Sequence, residues 1–301
     1  MQNIKKIVVG YDFSEPGRAA LSKALELADR FQAALTVVHA ISPEIASPFV
    51  PAVELDLAKI VEENLKQQLT EFVKKSGHPV ESVTAKVLQG LPHMCLIEHA
   101  VAQNADLIVV GSHSRSVVGR FFLGSQALKV VRHAPMAVWV NHEQQVRTVQ
   151  KILVPIDENS ISELAIPEAK IFAQIYNAKL QLVHVLHMPV YDYLDSQSLL
   201  NEAQTECQKY LQNLCQIHAL ELPPLVLQGN PASTIFKHIE NDSHIGLVVL
   251  ATHGRKGVDR LFMGSVAEQI VQQGPVPVLA VRSLEHKKHV SGLLAKGLLF
   301  A

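Results

Sequence analysis

An internal repeat constrains this chain more than any other feature of its sequence. Residues 7–12 read IVVGYD and residues 152–157 read ILVPID, at an offset of 145 residues. Residues 107–110 (LIVV) match residues 247–250 (LVVL) at an offset of 140 residues. This period is far too long for a solenoid, in which units of about 20–50 residues stack on one another. The repeat therefore predicts two adjacent domains of the same fold.

The repeat divides the 301 residues into two domains and a tail. A chain of this length is long for one domain and comfortable for two. We expect the first domain at residues 1–142 and the second at residues 149–283. Residues 284–301 have no equivalent in the first copy, so we interpret them as a C-terminal tail that packs on a domain, joins a partner or stays mobile.

Both copies alternate short apolar runs with longer segments of helical period, which is typical of a parallel sheet covered by helices. Strands are expected near residues 5–11, 34–40, 83–88, 106–111 and 136–140, and again near residues 151–156, 179–185, 224–228, 246–251 and 276–281. Helices are expected between them, in the first copy near residues 15–31, 54–77, 92–103 and 125–133. Right-handed crossovers make each copy a doubly wound α/β domain with a parallel, five-stranded, Rossmann-like sheet. Its ligand crevice should lie at the carboxyl ends of strands one and four, where the strand order reverses.

Composition and charge disfavour several classes of function. The chain carries 27 basic and 28 acidic residues, so it has no global attraction to nucleic acid or to an anionic membrane. No apolar run reaches the length of a membrane span, and the N-terminal residues lack the apolar stretch of an export signal. Cys95, Cys207 and Cys215 form neither a disulfide framework nor a metal-binding pattern. We expect a cytoplasmic protein without a metal site.

The loops after the two fourth strands carry the most distinctive motif. Each ends in a glycine–serine pair, at residues 124–125 and 264–265. Such a pair opens a helix whose free N–H groups and dipole favour anions, and a small residue at the preceding strand end lets a phosphate or ribose approach the backbone. The motif resembles the nucleotide signature of the universal stress protein family, in which a glycine, two residues, a second glycine and nine residues precede glycine and serine or threonine.

Each copy departs from that signature once. Ser114 stands where the first copy should have the second glycine, and Ala251 stands where the second copy should have the first. Alanine is compatible with an extended strand end, so Ala251 should preserve the site. Serine is disfavoured where a loop glycine is chosen for positive φ, so Ser114 weakens the first site. The second domain is therefore expected to be the better nucleotide site.

The resemblance implies that an adenine nucleotide binds in at least the second domain: ATP, with or without Mg²⁺, or else AMP or ADP. It implies that the aspartate after strand one contacts the adenine and ribose, and that the residue after the strand-two histidine packs near the base. The nucleotide-binding residues implied in this way are Pro155, Ile156, Asp157, Val185, Ala251, His253, Gly254, Arg255, Gly264, Ser265 and Val266, with Asp12, Ala40, Gly111, Gly124 and Ser125 in the first domain. It also implies that the two copies pair through their last strands as an intramolecular pseudo-dimer, and a homodimer or another protein partner stays open.

Purely structural interpretations of the same residues stay open as well. A glycine can simply turn the chain, a serine can cap a helix, and an aspartate is common before a helix. In the second copy, Ser160 with Glu163 forms a capping-box pattern. Neither a P-loop lysine nor a G-x-G-x-x-G motif follows strand one, so neither a Walker-type ATPase nor a standard dinucleotide site is indicated.

Three functional hypotheses follow. The first is an ATP-binding stress-response protein that acts as a nucleotide-dependent regulator, with ATP hydrolysis at most slow and incidental. The second is a nucleotide-free scaffold that works through dimerisation and partner contacts. The third is an enzyme that acts on an adenylated substrate, and it lacks a recognisable catalytic set. The paired histidines, His39 with His184 and His113 with His253, are explained by the repeat.

Overall fold

The computed structural model describes residues 4–41, 51–76, 83–112, 123–142, 147–157, 161–187, 196–252 and 263–282. These residues form two compact units, one at residues 4–142 and one at residues 147–282. The predicted tail at residues 284–301 lies outside the described residues.

The first unit is a doubly wound α/β domain. Its elements are β1 (Lys6–Gly10), α1 (Glu15–Phe31), β2 (Ala34–Ile41), α2 (Pro51–Ser76), β3 (Val83–Gln89), α3 (Pro92–Ala102), β4 (Leu107–Gly111), α4 (Ser125–His133) and β5 (Ala137–Asn141). The strand order is β3-β2-β1-β4-β5, and every pair is parallel. The chain moves outward from β1 to β3 and then returns to the other side of β1, so the order reverses between β1 and β4.

The second unit repeats this topology. Its elements are β6 (Lys151–Pro155), a 3₁₀ turn (Ser162–Leu164), α5 (Ala165–Tyr176), β7 (Lys179–Leu186), α6 (Ser196–His218), β8 (Leu225–Gln228), α7 (Pro231–Asn241), β9 (Ile245–Ala251), α8 (Ser265–Gln273) and β10 (Val278–Val281). The strand order is β8-β7-β6-β9-β10, again with parallel pairs. The predicted fold class of both copies is confirmed.

The two units also agree in strand register. Val8 pairs with Ile108 in the first sheet, and Leu153 pairs with Val248 in the second. The sequence offset of 145 residues relates Val8 to Leu153, and the offset of 140 residues relates Ile108 to Val248. All four side chains are at most 1% exposed, because helices cover both faces of each sheet. The repeat therefore extends from sequence to backbone pairing.

The longest helix of each unit is tied to the loop that follows the first strand. In the first unit, the Tyr11 hydroxyl donates to Oε1 of Gln68 on α2 at 3.0 Å. In the second unit, the Tyr210 hydroxyl on α6 donates to Oε1 of Glu163 at 2.7 Å, and burial together with this carboxylate raises the pKa of Tyr210.

Among the described residues, no helix combines the length and apolarity that a membrane span requires.

An ion pair joins the last turn of α7 to the start of β6. Lys151 Nζ lies 2.6 Å from Oδ2 of Asp242, and the backbone N–H of His244 donates to Oδ1 at 3.1 Å. Burial alone would raise the pKa of Asp242, but the hydrogen bonds from Lys151 and His244 outweigh it and lower that pKa to about 2. The carboxylate therefore stabilises the folded second domain only while it is ionised.

Acid should weaken the second domain through Asp242. Its folded-state pKa lies below the unfolded value, so its contribution is present above about pH 4 and is lost as the pH falls toward 2. We expect about 1–2 kcal/mol of unfolding free energy to disappear across this range, after allowance for partial exposure. Urea unfolding at pH 6, 4 and 2.5 should show a smaller acid-dependent loss for Asp242→Asn than for the parent chain. Equal losses in the two proteins would contradict this assignment.

Candidate functional site

A cavity of about 190 Å³ opens at the carboxyl edge of the first sheet. It lies where the strand order reverses between β1 and β4, which is the place where open α/β sheets hold ligands. Residues at the ends of β1, β2 and β4 line it together with the first turns of α1, α3 and α4. The lining includes Gly10, Tyr11, Asp12, Gly17, His39, Ala40, His93, Leu96, Gly111, Ser112, Gln126 and Ala127.

Asp12 shapes the loop that enters α1. Its Oδ1 accepts hydrogen bonds from the backbone N–H and the hydroxyl of Ser14, the former at 3.1 Å. The Ser14 Oγ in turn accepts from the N–H of Gly17 at 3.0 Å and caps the helix. The structural interpretation of this aspartate is thus supported, and the carboxylate still lines the cavity.

Two equivalent histidines hold the first loop of each domain. His39 Nδ1 lies 2.8 Å from the carbonyl oxygen of Tyr11, and His184 Nδ1 lies 2.8 Å from that of Ile156. Because a carbonyl oxygen only accepts, Nδ1 carries the proton in both rings. The two histidines therefore orient the backbone beside the site, in the same way in both copies.

An aromatic cluster stands beside this loop in the first domain. The Phe13 ring packs against Tyr11 and His39, with centroids 5.0 and 4.7 Å apart. Phe13 has φ of 63°, in the left-handed region that few non-glycine residues adopt. Burial raises the pKa of the neighbouring Tyr11 hydroxyl, which keeps it a hydrogen-bond donor. The loop thus holds one strained residue in place through ring packing.

Gly111 is required by helix packing. A Cβ at this position would lie 2.5 Å from the carbonyl oxygen of Pro16, in the first turn of α1. The second domain carries Ala251 at the equivalent strand end, and there α5 begins only at Ala165, after a 3₁₀ turn. The domain that carries the methyl group of Ala251 is therefore also the one in which the following helix starts later. The first glycine of the motif therefore has a structural reason that is independent of any ligand.

The glycines before α4 and α8 differ from Gly111 in this respect. Gly124 has φ −60° and ψ 154°, and Gly264 has φ −61° and ψ 143°, which any residue adopts. Neither helix start has a side-chain cap hydrogen bond in the described part of the chain, so no capping side chain there satisfies the first-turn N–H groups. In the described part of the chain, no heavy atom lies within 4 Å of a Cβ built on Gly264. Backbone conformation does not demand glycine at either position, and the packing of the described residues does not demand it at Gly264.

The residue after the fourth strand differs between the copies. Ser112 lines the first cavity, is fully buried, and its hydroxyl has no hydrogen-bond partner among the described residues. Its counterpart Thr252 accepts from Nη1 of Arg282 at 2.6 Å. Burial lowers the pKa of this arginine to about 9. Within the described ranges, the Ser112 hydroxyl thus faces the cavity without a protein partner, whereas the Thr252 hydroxyl is engaged.

Sequence reasoning missed a hydrogen-bonded pair in the cavity wall. His93 on α3 and Gln126 on α4 both line the cavity, and His93 Nδ1 lies 2.7 Å from Gln126 Oε1. Because the second copy carries Ala232 and Val266 at these positions, the mismatch between the repeats was a usable signal.

The predicted residues of the second domain lie along the carboxyl edge of its sheet. Asp157 follows β6 and exchanges hydrogen bonds with the Ser162 hydroxyl at 3.2 and 3.3 Å. The others that the structure places at this edge are Pro155, Ile156, Val185, Ala251, Gly264, Ser265 and Val266. The predicted contacts His253, Gly254 and Arg255 lie outside the described residues, as do His113, Ser114 and Ser160.

Within the described ranges, no group of three or more His, Cys, Asp or Glu residues is placed to hold a metal ion. The cavity of the first domain instead combines apolar walls with a small number of hydrogen-bonding groups. This combination is typical of sites for small organic ligands.

Comparison with known proteins gives a consistent result. The sequence profile described as "Universal stress protein family" matches residues 3–142 and again residues 148–282. Universal stress protein Rv2005c of Mycobacterium tuberculosis is 28% identical over 294 residues, covering 92% of this chain and 96% of that protein. A universal stress protein of Thermus aquaticus is 37% identical over 134 residues, covering 44% of this chain and 96% of that protein.

Solved structures share the fold over nearly the whole chain. A universal stress protein from Archaeoglobus fulgidus has a TM-score of 0.70 at 17% identity, covering 94% of this chain and 99% of that chain. A functionally unknown protein, PA1789 from Pseudomonas aeruginosa, has a TM-score of 0.70 at 16% identity, covering 97% and 98%. At these identities the likeness concerns the fold alone.

Gly111→Ala should destabilise the first domain. The added methyl group would overlap the Pro16 carbonyl, and overpacking of this kind costs about 1–3 kcal/mol. The matched exchange in the second domain, Ala251→Gly, should cost less than about 1 kcal/mol, since it only removes a methyl group and loosens the backbone. Urea unfolding of both variants compares the two, and equal losses would show that the Pro16 contact does not require glycine.

Proposed function

Because the chain belongs to the universal stress protein family, we propose that it binds an adenine nucleotide, ATP foremost, at the carboxyl edge of its sheets and acts in the stress response as a nucleotide-dependent regulator. The sequence motif favours the second domain, and the cavity of the first domain extends the proposal to both copies. AMP and ADP share the base, ribose and first phosphate of ATP, so they are candidates for the same place. They carry fewer phosphates than ATP and are the weaker candidates for that reason.

The observation that carries the proposal is the unexplained glycine before α8. Its φ of −61° suits any residue, and an added Cβ would meet no atom within 4 Å in the described part of the chain. Uncapped N–H groups of a helix start follow directly, and such groups bind phosphate well. We infer that Gly264 keeps open the space that a phosphate occupies. Gly124 has the same backbone conformation before α4.

The residues of the first cavity fit the rest of the ligand. Val38, Ala40 and Leu96 provide apolar surface of the kind that an adenine ring packs against. The buried Ser112 hydroxyl lacks a partner among the described residues, and an orphaned buried group costs about 1–3 kcal/mol. A ribose or phosphate oxygen would satisfy it. Asp12 stands at the same edge, where a ribose hydroxyl could donate to its carboxylate.

The proposal concerns binding and not turnover. The described lining of the cavity supplies hydrogen-bonding groups and apolar contacts, and the Ser14 hydroxyl in that lining is engaged with Asp12 and in capping α1. We therefore propose that ATP hydrolysis is at most slow and incidental. In this account the nucleotide acts by binding one conformation of the protein more tightly than another, which shifts the population toward that conformation.

Nucleotide content and stoichiometry of gently purified protein test the proposal. We expect up to two adenine nucleotides per chain, released by heat and identified by chromatography. Gly264→Val should remove the equivalent held by the second domain and Gly124→Val that held by the first, because a branched side chain would fill the phosphate space. Gly264→Ala adds a single methyl group and serves as the graded control.

The outcomes separate the hypotheses. Loss in one variant alone would assign binding to that domain. An absence of copurified nucleotide, together with no binding of added ATP by the parent chain, would contradict the proposal and favour the nucleotide-free scaffold. Circular dichroism of each variant checks that the fold survives, since glycine at a helix start is replaced at a cost of about 1 kcal/mol.

A further inference from the structure

The two copies of the repeat differ most informatively in the wall of the candidate pocket. His93 and Gln126 line the cavity of the first domain, whereas Ala232 and Val266 occupy the equivalent positions of the second. Neither alanine nor valine can donate a hydrogen bond from its side chain. The polar pair is thus specific to the first domain.

His93 holds the Gln126 amide in one orientation. His93 is 5% exposed, and its Nδ1–H donates to Gln126 Oε1 at 2.7 Å. Burial lowers the pKa of the imidazole, so the ring stays neutral near pH 7. Because the amide oxygen faces His93, the amide NH₂ group is the end of Gln126 that remains to serve a ligand.

The position of Gln126 decides which part of the ligand it would meet. It is the second residue of α4, directly after Ser125, where uncapped N–H groups favour an anion. A side-chain NH₂ at this point adds a donor to those of the backbone. The matching ligand group is a phosphate oxygen.

We propose that Gln126 is a phosphate-binding side chain of the first-domain pocket and that His93 is the residue that positions it. This inference rests on the proposed nucleotide binding and adds a difference between the domains. The first domain contacts phosphate with a side-chain amide, and the second carries the apolar Val266 at the same position.

A second feature of the same cavity points the same way. The Ser112 hydroxyl is fully buried and has no partner among the described residues, whereas its counterpart Thr252 is engaged by Arg282. The first pocket therefore contains two side-chain donors, Ser112 and Gln126, that are absent or occupied in the second.

The test uses the full chain with Gly264→Val, so that the second site is silenced. Isothermal titration with ATP and with adenosine compares the Gly264→Val chain with the same chain carrying Gln126→Val. This exchange installs the valine that the second domain has at the equivalent position. We expect ATP affinity to fall about tenfold, as for a lost hydrogen bond to a charged group, and adenosine affinity to change less than about twofold. Gln67→Val in the same background makes the same exchange at an exposed position of α2, outside the cavity lining, and should leave both affinities unchanged.

Variants of His93 distinguish positioning from packing. His93→Ala should weaken ATP binding about threefold to tenfold, and the double variant with Gln126→Val should bind no worse than Gln126→Val alone. His93→Asn should restore most of the affinity, because its amide nitrogen can replace Nδ1 as the donor. Additive losses, or no rescue by asparagine, would overturn the positioning role.

The remaining outcomes keep this inference separate from the proposed function. Unchanged ATP affinity in Gln126→Val, with binding abolished by Gly124→Val, would overturn the role of Gln126 and leave nucleotide binding intact. An equal loss for ATP and adenosine would overturn the phosphate contact. Failure of the Gly264→Val chain to bind either ligand would overturn the inference together with nucleotide binding in the first domain.

Discussion

Parallel pairing of β1 with β4, and of β6 with β9, is the constraint on which the rest of this structure depends. Because the chain leaves the first strand in one direction and returns on its other side, the loops after these two strands diverge and leave a crevice between them. The pairing places Asp12 beside Gly111 and Ser112 at one edge of the sheet, although about 100 residues separate them in sequence. The contacts proposed for Asp12 and Ser112 follow from that juxtaposition.

The same backbone carries different residues at the strand ends of the two domains. At the strand end, Gly111 makes room for Pro16, whereas Ala251 accompanies a later start of the following helix. One position on, Ser112 has no described partner while Thr252 is held by Arg282. The repeat thus keeps its sheet register and changes the residues at its strand ends.

Much of the fold could be predicted from the sequence because it depends on local periodicity and on the repeat. The apolar runs located all ten described strands within a few residues. The offsets relate Val8 to Leu153 and Ile108 to Val248, and these equivalent residues form equivalent pairs in the two sheets. The position of the cavity between the first and fourth strands could be predicted from the sequence. Which side chains form its wall could not be fully predicted. His93 and Gln126 are 33 residues apart and meet only through the packing of α3 against α4, which no local pattern reports. The domain limits, the pairing of the two copies and the contacts of Gly254 stay predictions.

The central claim is that the carboxyl edge of each sheet holds the phosphates of an adenine nucleotide. A crystal structure of the full chain with a non-hydrolysable ATP analogue at saturating concentration tests it most directly. The account predicts phosphate density against the first turns of α4 and α8, with the base toward the ends of β2 and β7. Density for the nucleotide elsewhere on the protein, or none at either edge, would contradict it.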